Sequence, residues 1–363
     1  MGLQPTIVHY DFADIRYSSF YSTGFRLNAA RYGYGFQITH RVPSLLDDPA
    51  TAAGWREDPT RTYRLLYRFT SDADDYYFCI DTHDHNRSYH PALLQKVRVY
   101  FKVNYDPGCI PSDLASMAQI GKIRPILPFF PLCDGRVERV PRLWPSRTMA
   151  WGHRDMARRL IDAPRVPTVR TLRALRGGSE AYDVFFLSAY YPEEVHAASM
   201  EFRYELMREL ERQGFDRSLY GFATRAELPD PFSRYARRRL PFAAYLRTLA
   251  QARLAIYVRG LLDCISFKFG EYLCLGVPVV GQTVANNREK LADLPHVHEQ
   301  FAFDKPRDIV LQAATLLREG DTRRALGASN ARAFDAMLSP GPVTADVLET
   351  LGMRCLLPED ERA

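Results

Sequence analysis

The chain has 363 residues, of which 46% are hydrophobic and 25% charged, and its formal net charge is +5. This length exceeds one ordinary hydrophobic core, so we expect two domains. The mild positive charge suits an anionic ligand but is too small for a dedicated nucleic-acid-binding protein. Six scattered cysteines without a CxxC pair favour buried free thiols over a disulfide scaffold. No apolar run approaches the ~18 residues of a membrane span, and no basic-then-apolar leader opens the chain, so we expect a cytoplasmic protein.

The first part of the chain has the pattern of an α/β domain. Short runs rich in β-branched and aromatic residues predict strands over Thr6–Tyr10, Tyr63–Thr70, Tyr76–Asp81 and Val97–Asn104. The run Trp151–Asp162 predicts a helix, and Ser22-Thr23 before Gly24–Asn28 suggests a capped one. Residues 163–179, with two prolines, several arginines and a Gly-Gly pair, mark a domain boundary or, alternatively, a surface loop. We expect a first domain over 1–165, a second over 166–337, and a tail, 338–363, that packs back on the first.

The second part alternates regularly between strand and helix patterns. Strands are predicted over Tyr182–Ala189, Ser218–Phe222, Leu254–Val258 and Val277–Val280. Helices are predicted over Pro192–Gln213, Pro241–Gln251, Lys268–Leu275, Asp304–Leu317 and Asp321–Met337. This alternation predicts a parallel sheet covered on both faces, with ligands beyond the carboxyl ends of its strands.

The segment Ser266–Gly281 carries the clearest functional signal. It predicts a helix with Lys268 and Glu271 in its first turns, and a short strand directly after Gly276. A helix N-terminus attracts anions, and Lys268 adds a point charge for a phosphate. Glu271 can accept hydrogen bonds from a pair of sugar hydroxyls, so the two together point to a nucleotide. The alternative is a capped amphipathic helix on which both charges are only solvated.

The phrase S-F-K-x-x-E-Y-L-x-x-G-x-P-V-V in this segment resembles the donor-binding segment of GT-B glycosyltransferases. The resemblance implies an α/β GT-B fold with two Rossmann-like domains facing a central cleft. It places Glu271 on the ribose and Lys268 on the diphosphate of a UDP-, GDP- or TDP-sugar donor, with Ser266 and Gly276 in the same donor-binding segment. No further cofactor is implied. The likeness extends loosely over residues 180–337 and hardly covers residues 1–165. The basic residue that several such families carry near the loop after the first strand of this domain is missing here.

Other polar residues follow the ends of predicted strands. Arg259 could grip a diphosphate bidentately, or could be an ordinary surface arginine; Arg225 has the same geometry. In the run Asp81-Thr82-His83-Asp84-His85, we take Asp81, Asp84 and His85 as candidates for the base of an inverting transfer. His9 and Asp11 form a reserve pair. The alternatives for this run are a turn that satisfies its own backbone groups, or a zinc or manganese site. We predict no metal, because His83 and His85 would point apart and no second cluster completes a ligand set.

The basic run Arg234–Arg239 could contact a polyanionic acceptor such as DNA or an anionic glycan, or could be one solvated helix face. Taken together, the sequence predicts a glycosyltransferase that moves a sugar from a nucleotide sugar to an unidentified acceptor, with basic groups rather than a metal stabilising the departing diphosphate. The acceptor would be a small molecule, a glycan or a polyanion. Two alternatives stay open: a nucleotide-sugar 2-epimerase of the same fold, and a non-catalytic module that binds nucleic acid or glycan.

Overall fold

The computed structural model describes residues 4–11, 13–58, 60–115, 118–134, 161–162, 165–292, 294 and 299–356. The chain divides into two compact units, Met1–Val169 with Leu338–Ala363, and Arg170–Met337. We call them the first and the second unit. Of the helix predicted over Trp151–Asp162, only the last two residues lie within the described part, where they are helical. No helix in the described ranges is long and apolar enough to cross a membrane.

The first unit is built on a six-stranded sheet with the order β2-β1-β3-β4-β5-β6. Its strands are β1 (Thr6–Tyr10), β2 (Gly35–Thr39), β3 (Arg64–Thr70), β4 (Asp75–Asp81), β5 (Val99–Lys102) and β6 (Ile123–Pro125). β3 runs antiparallel to both of its neighbours, and the other pairs are parallel. The sheet is therefore mixed, whereas a Rossmann-like domain has a mostly parallel one. The reason is a tight hairpin between β3 and β4, in which the Ser71 N–H donates to the Asp74 carbonyl oxygen at 2.8 Å.

Within the described residues of the first unit, four helices follow its strands: α1 (Ile15–Tyr32), α2 (Pro49–Glu57), α3 (Pro91–Lys96) and α4 (Ser112–Ala115). The capped helix suggested over Gly24–Asn28 is the second half of α1. That helix begins at Ile15, where the Asp14 carboxylate accepts the Arg16 N–H at 2.9 Å. Short 3-10 turns lie at Ser44–Leu46, Arg61–Tyr63, Pro107–Cys109 and Ala118–Lys122.

The second unit is built on a five-stranded, fully parallel sheet with the order β11-β10-β7-β8-β9, as the alternating pattern predicts. Its strands are β7 (Tyr182–Ser188), β8 (Ser218–Thr224), β9 (Ala236–Arg238), β10 (Ala252–Tyr257) and β11 (Val279–Gly281). Its helices are α5 (Val169–Arg173), α6 (Ala197–Gln213), α7 (Phe242–Leu249), α8 (Phe267–Leu275), α9 (Arg288–Ala292), α10 (Pro306–Arg318) and α11 (Gly320–Ala333). Short 3-10 turns lie at Glu194–His196, Phe232–Tyr235 and Leu261–Asp263, and a π-helical turn at Phe334–Leu338. The α/β class with two sheet-based units is confirmed.

The central strands of the second unit are buried on both faces, as in parallel sheets generally. On one face, Val184 and Ile256 pack in a core with Leu206 of α6 and Ile309 of α10. Each such side chain contributes roughly 1.5–3 kcal/mol of transfer free energy when fully buried. The basic run after the 3-10 turn at Phe232–Tyr235 is the edge strand β9 and not a helix face, which corrects the helical alternative for that run.

The last helix, α12 (Pro340–Thr350), packs against α1 and so belongs to the first unit. Gly24 permits this close approach, because a Cβ atom at that position would lie 2.1 Å from the Pro340 carbonyl oxygen. The Asn28 amide of α1 donates to the Gly341 carbonyl oxygen at 2.7 Å. The C-terminal segment is thus held by helix packing and by hydrogen bonds that compensate buried polar groups.

Candidate functional site

The second unit has one topological switch point, at the carboxyl ends of β7 and β10. From β7 the chain moves outward through β8 and β9, and then returns to the other side of β7 to form β10 and β11. The loops that leave β7 and β10 therefore diverge and open a crevice at this edge of the sheet. Open α/β sheets bind their ligands in such a crevice.

Helix α8 begins in the loop that leaves β10. Its N-cap residue is Ser266, which has extended backbone angles, but the serine hydroxyl makes no capping hydrogen bond. The hydroxyl lies beside that of Tyr257 instead. With no side-chain cap, the positive end of the helix dipole is left for another group near Ser266.

Lys268 lies in the first turn of α8 and points to the end of β7. Its ammonium group donates a hydrogen bond to the Leu187 carbonyl oxygen and lies 5.8 Å from the centre of the Phe186 ring. Burial and, to a smaller extent, the nearby Arg203 guanidinium lower the pKa of Lys268 to about 7, against the opposing charge of Glu271. A negative group bound here in addition to Glu271 would raise the pKa of Lys268 and so keep its ammonium group charged.

Glu271, one turn along α8, is 4% exposed. One of its carboxylate oxygens accepts a hydrogen bond from the Tyr245 hydroxyl of α7 at 2.9 Å. Burial raises the pKa of Glu271 to about 7, against the opposing effects of Tyr245 and Lys268. Tyr245 itself packs edge-on against Phe185 of β7, so the carboxylate is held by a side chain with little freedom to move.

Arg203 is the residue that the sequence analysis missed. It lies in the middle of α6 and is 4% exposed. Its guanidinium donates to the Ala189 carbonyl oxygen, after β7, and to the Arg259 carbonyl oxygen, after β10, both at 3.1 Å. It therefore ties together the two loops that form the crevice. The guanidinium also lies 5.7 Å from the centre of the Tyr191 ring.

The charge of Arg203 is not balanced by an acid. Among the described residues no carboxylate oxygen lies within 4 Å of its guanidinium, and burial lowers its pKa. A buried arginine is normally paired, because an unpaired ion in a protein interior costs several kcal/mol. One signal in the sequence could have found it: Arg203 stands in the buried stripe of α6, with Met200 and Met207 as the apolar members on either side.

Arg259 lies at the same crevice, but its charge is already balanced. Its guanidinium pairs with Asp263 at 3.1 Å and Asp304 at 2.8 Å, and donates to the Thr283 carbonyl oxygen at 2.6 Å. The side chain is 21% exposed. The structure thus brings Arg259 to the predicted place, where it supports the loop after β10 rather than offering a free cation.

Gly276 lies at the opposite end of α8, about 12 Å from Lys268 at 1.5 Å per residue. It has φ 66° and ends the helix, and the Val277 N–H donates back to the Tyr272 carbonyl oxygen at 3.0 Å. This is the ordinary role of a glycine after a helix. We therefore leave Gly276 out of the proposed site, because its place in the fold is explained by the helix end.

In the first unit, Asp81 ends β4 and is fully buried. Its carboxylate contacts the Lys102 ammonium at 3.1 Å and the Arg64 guanidinium at 3.4 Å, and accepts a hydrogen bond from the Tyr100 hydroxyl. Burial alone would raise the pKa of Asp81, but the Lys102 and Arg64 charges hold it below its usual range. An inaccessible carboxylate that two cations keep ionised is poorly suited to remove a proton, and its contacts are those of a structural ion-pair network.

Asp84 and His85, which follow Asp81, are both half-buried. The Nδ1 atom of His85 accepts the Arg87 N–H at 3.1 Å, so the neutral ring carries its proton on Nε2. Burial also lowers the pKa of His85. Its outward nitrogen is thus a donor in this tautomer, which leaves Asp84 as the member of the run that fits a base. His83 fits the alternative of a turn that satisfies its own backbone groups, because its Nδ1 accepts the His85 N–H at 3.2 Å.

The reserve pair, His9 and Asp11, is fully buried at the end of β1. The His9 ring stacks on Tyr67 at 4.6 Å, and its Nδ1 lies 3.0 Å from the Ser22 hydroxyl. Both residues are thus part of the core. In the described part of the chain, no group of three or more His, Cys, Asp or Glu side chains is arranged to hold a metal ion.

No family model and no curated protein matches this chain. Among solved structures, TarM of S. aureus, crystallised with fondaparinux, alpha-GlcNAc-glycerol and UDP, is similar at 8% identity and a TM-score of 0.42. The match covers 70% of this chain, which spans 44% of TarM. A Listeria monocytogenes protein provisionally named a UDP-N-acetylglucosamine 2-epimerase is similar at 10% identity and a TM-score of 0.37, over 88% of this chain and 82% of that one.

The glycotransferase of kitacinnamycin is similar at 14% identity and a TM-score of 0.29, over 91% of this chain and 73% of that one. All these values are low.

Proposed function

We propose that the second unit binds a nucleotide sugar at the carboxyl edge of its parallel sheet and that the protein is a glycosyltransferase. The observation that carries the proposal is the buried, acid-free cation Arg203 beside Lys268 at the switch point. Two cations and a helix N-terminus converge there, and within the described part of the chain Glu271 is the acid that acts on Lys268. A diphosphate supplies the negative charge that this arrangement lacks.

In this proposal each group has one task. Arg203 and Lys268 contact the diphosphate, and the uncapped start of α8 faces it. Glu271, held by the Tyr245 hydroxyl, accepts hydrogen bonds from the ribose hydroxyls. Positive groups fixed where the diphosphate departs stabilise the charge that develops on it during transfer, which is electrostatic catalysis. For an inverting reaction, Asp84 of the first unit is the base that we propose.

Isothermal titration calorimetry with UDP, GDP and dTDP tests the binding step on the full chain. We expect one nucleoside diphosphate to bind, and Glu271→Gln to weaken it at least tenfold. Glu205→Gln is the matched control, since this acid of α6 is half-buried and pairs only with Arg208 in the described contacts. The absence of binding by all three nucleotides would refute the proposal.

Product analysis then separates the enzyme classes. The corresponding nucleotide sugar is incubated with and without a mixture of candidate acceptors, and the products are resolved by mass spectrometry and NMR. A transferase releases nucleoside diphosphate together with a glycosylated product. An altered sugar formed without any acceptor would replace our proposal by a 2-epimerase.

A further inference from the structure

A second group of cations lies at the same edge of the second unit. We propose that Arg225, Arg238 and Arg239, which we call the arginine strip, bind a polyanionic glycan and so hold it as the acceptor of the transfer. The acceptor role rests on the proposed function, whereas the binding of the polyanion rests on the strip alone.

The strip is formed by two neighbouring strand ends. β8 and β9 are parallel, with Thr224 opposite Arg238, and the Arg239 N–H donates to the Thr224 carbonyl oxygen at 3.2 Å. Arg225 follows β8 directly, so Arg225 and Arg239 leave the carboxyl edge of the sheet side by side. Strands in a sheet are about 4.8 Å apart, so the backbone positions of all three arginines lie within one small area of the edge, with the consecutive residues Arg238 and Arg239 directed to alternate faces.

The charges of the strip are exposed and uncompensated. All three side chains are exposed, and no carboxylate of the described residues pairs with them. Several arginines elsewhere in this unit do have acidic partners: Arg208 with Glu205, Arg212 with Glu209, Arg234 with Glu211, and Arg324 with Asp321. Others, such as Arg247 and Arg307, are exposed and form no ion pair within the described ranges, so what sets the strip apart is that its three arginines are adjacent. Grouped like charges repel one another, and a bound polyanion removes that repulsion.

The strip also lies at a useful distance from the nucleotide site. β8 separates β9 from β7, so the strip is about 10 Å from the end of β7, where Lys268 donates to Leu187. Both features are at the carboxyl edge of one sheet within one unit. An oligosaccharide chain bound along the strip can therefore reach the proposed site of transfer.

The surroundings of the strip favour a glycan over a single-stranded nucleic acid. Proteins that bind single strands offer exposed aromatic rings on which the bases stack. Here Tyr235, just before β9, is buried, packs against Tyr204, and donates its hydroxyl to Glu211 at 2.7 Å. The strip thus offers planar guanidinium groups, which bind sulfate or phosphate groups bidentately, next to a ring that is closed to bases.

Fluorescence anisotropy with the full chain tests the strip. The probes are a labelled, size-defined heparin decasaccharide and a labelled ten-nucleotide single-stranded DNA, each titrated at several NaCl concentrations. We expect the decasaccharide to bind more tightly than the DNA. Replacing the three strip arginines by Gln should weaken it at least tenfold and make the slope of log K against log[NaCl] shallower by about 2, as three lost counterion-releasing contacts imply.

The matched control is the triple variant Arg208→Gln, Arg212→Gln, Arg324→Gln, which removes the same charge from paired positions and should change the affinity less than about twofold. Equal losses in the two triple variants, or DNA binding as tight as that of the decasaccharide, would overturn the proposal. UDP binding is measured in parallel and should be unchanged in the strip variant. A wild-type protein that binds the decasaccharide through the strip but binds no nucleotide would overturn the acceptor role and the proposed function, while the polyanion site itself would stand.

Discussion

Arg203→Met offers the sharpest prediction, because a buried cation without an acid is costly unless an anionic ligand requires it. Methionine keeps an unbranched, flexible side chain that is somewhat shorter, and it removes the charge. In the complex, the guanidinium would make charge-assisted hydrogen bonds to a phosphate, each contributing about 1.5–3 kcal/mol. At an effective dielectric constant of 20, two opposite charges 4 Å apart attract by about 4 kcal/mol. A loss of about 2–4 kcal/mol of binding free energy weakens UDP roughly 30- to 1,000-fold.

In the absence of ligand, two opposing effects nearly cancel. The substitution removes the hydrogen bonds that Arg203 donates to the carbonyl oxygens of Ala189 and Arg259. It also removes the desolvation penalty of an unpaired guanidinium, which is several kcal/mol. We therefore expect the free energy of unfolding to change by less than about 2 kcal/mol in either direction.

Calorimetry with UDP and urea unfolding of the same preparations measure both quantities. Arg208→Met, five residues further along α6, is the control; this arginine is only partly buried and pairs with Glu205. It should leave the affinity for UDP and the stability nearly unchanged. If Arg203→Met binds UDP as well as the wild type, the assignment of Arg203 is refuted. A loss of stability above about 4 kcal/mol would instead show that Arg203 serves the fold.

Three further predictions follow from the same contacts. Since the pKa of Lys268 in the free protein is about 7 and a bound diphosphate favours its ammonium form, UDP affinity in calorimetry should fall as the pH rises, approaching tenfold per pH unit above about pH 8, where Glu271 is already ionised; Lys268→Arg should abolish this fall. Asp81→Asn leaves Lys102 buried without its acid, so it should lower the free energy of unfolding, measured in urea, by about 3–5 kcal/mol. The control Asp75→Asn, at an exposed ion pair, should lower it by less than about 1 kcal/mol. Equal effects of the two substitutions would contradict the buried network. Gly276→Ala should cost about 1–2 kcal/mol of stability, because φ is 66° there, and should leave UDP affinity unchanged; a weakened affinity would return Gly276 to the site.

Residues that end a helix or precede a strand explain why the second unit could be predicted from its sequence. The helix α8 ends at Gly276, and Pro278 directly precedes the short strand β11. These signals act over a few residues, and so the bounds of α8 and its charged first turns were predictable. Strand β9 was missed because it is only three residues long and consists mainly of arginine.

The roles of single residues depend on partners that are distant in sequence, and sequence patterns do not reveal those. Arg259 looks like a free cation until Asp304, 45 residues later, is placed against it. Asp81 looks like an accessible acid until Arg64 of β3 and Lys102 of β5 enclose it. Arg203 looks like one of many helix arginines until the sheet order brings the loops after β7 and β10 to it. In each case the deciding contact is set by tertiary packing.

The central claim, that a nucleoside diphosphate binds at the carboxyl edge of the second unit's sheet, is tested most directly by hydrogen–deuterium exchange with and without UDP. A phosphate at the start of α8 accepts hydrogen bonds from its first N–H groups and slows their exchange. We predict protection of residues 266–270 and of residues 189–191, the loop after β7 to which Arg203 donates. Unchanged exchange in both segments at saturating UDP, or protection confined to other parts of the chain, would contradict the account.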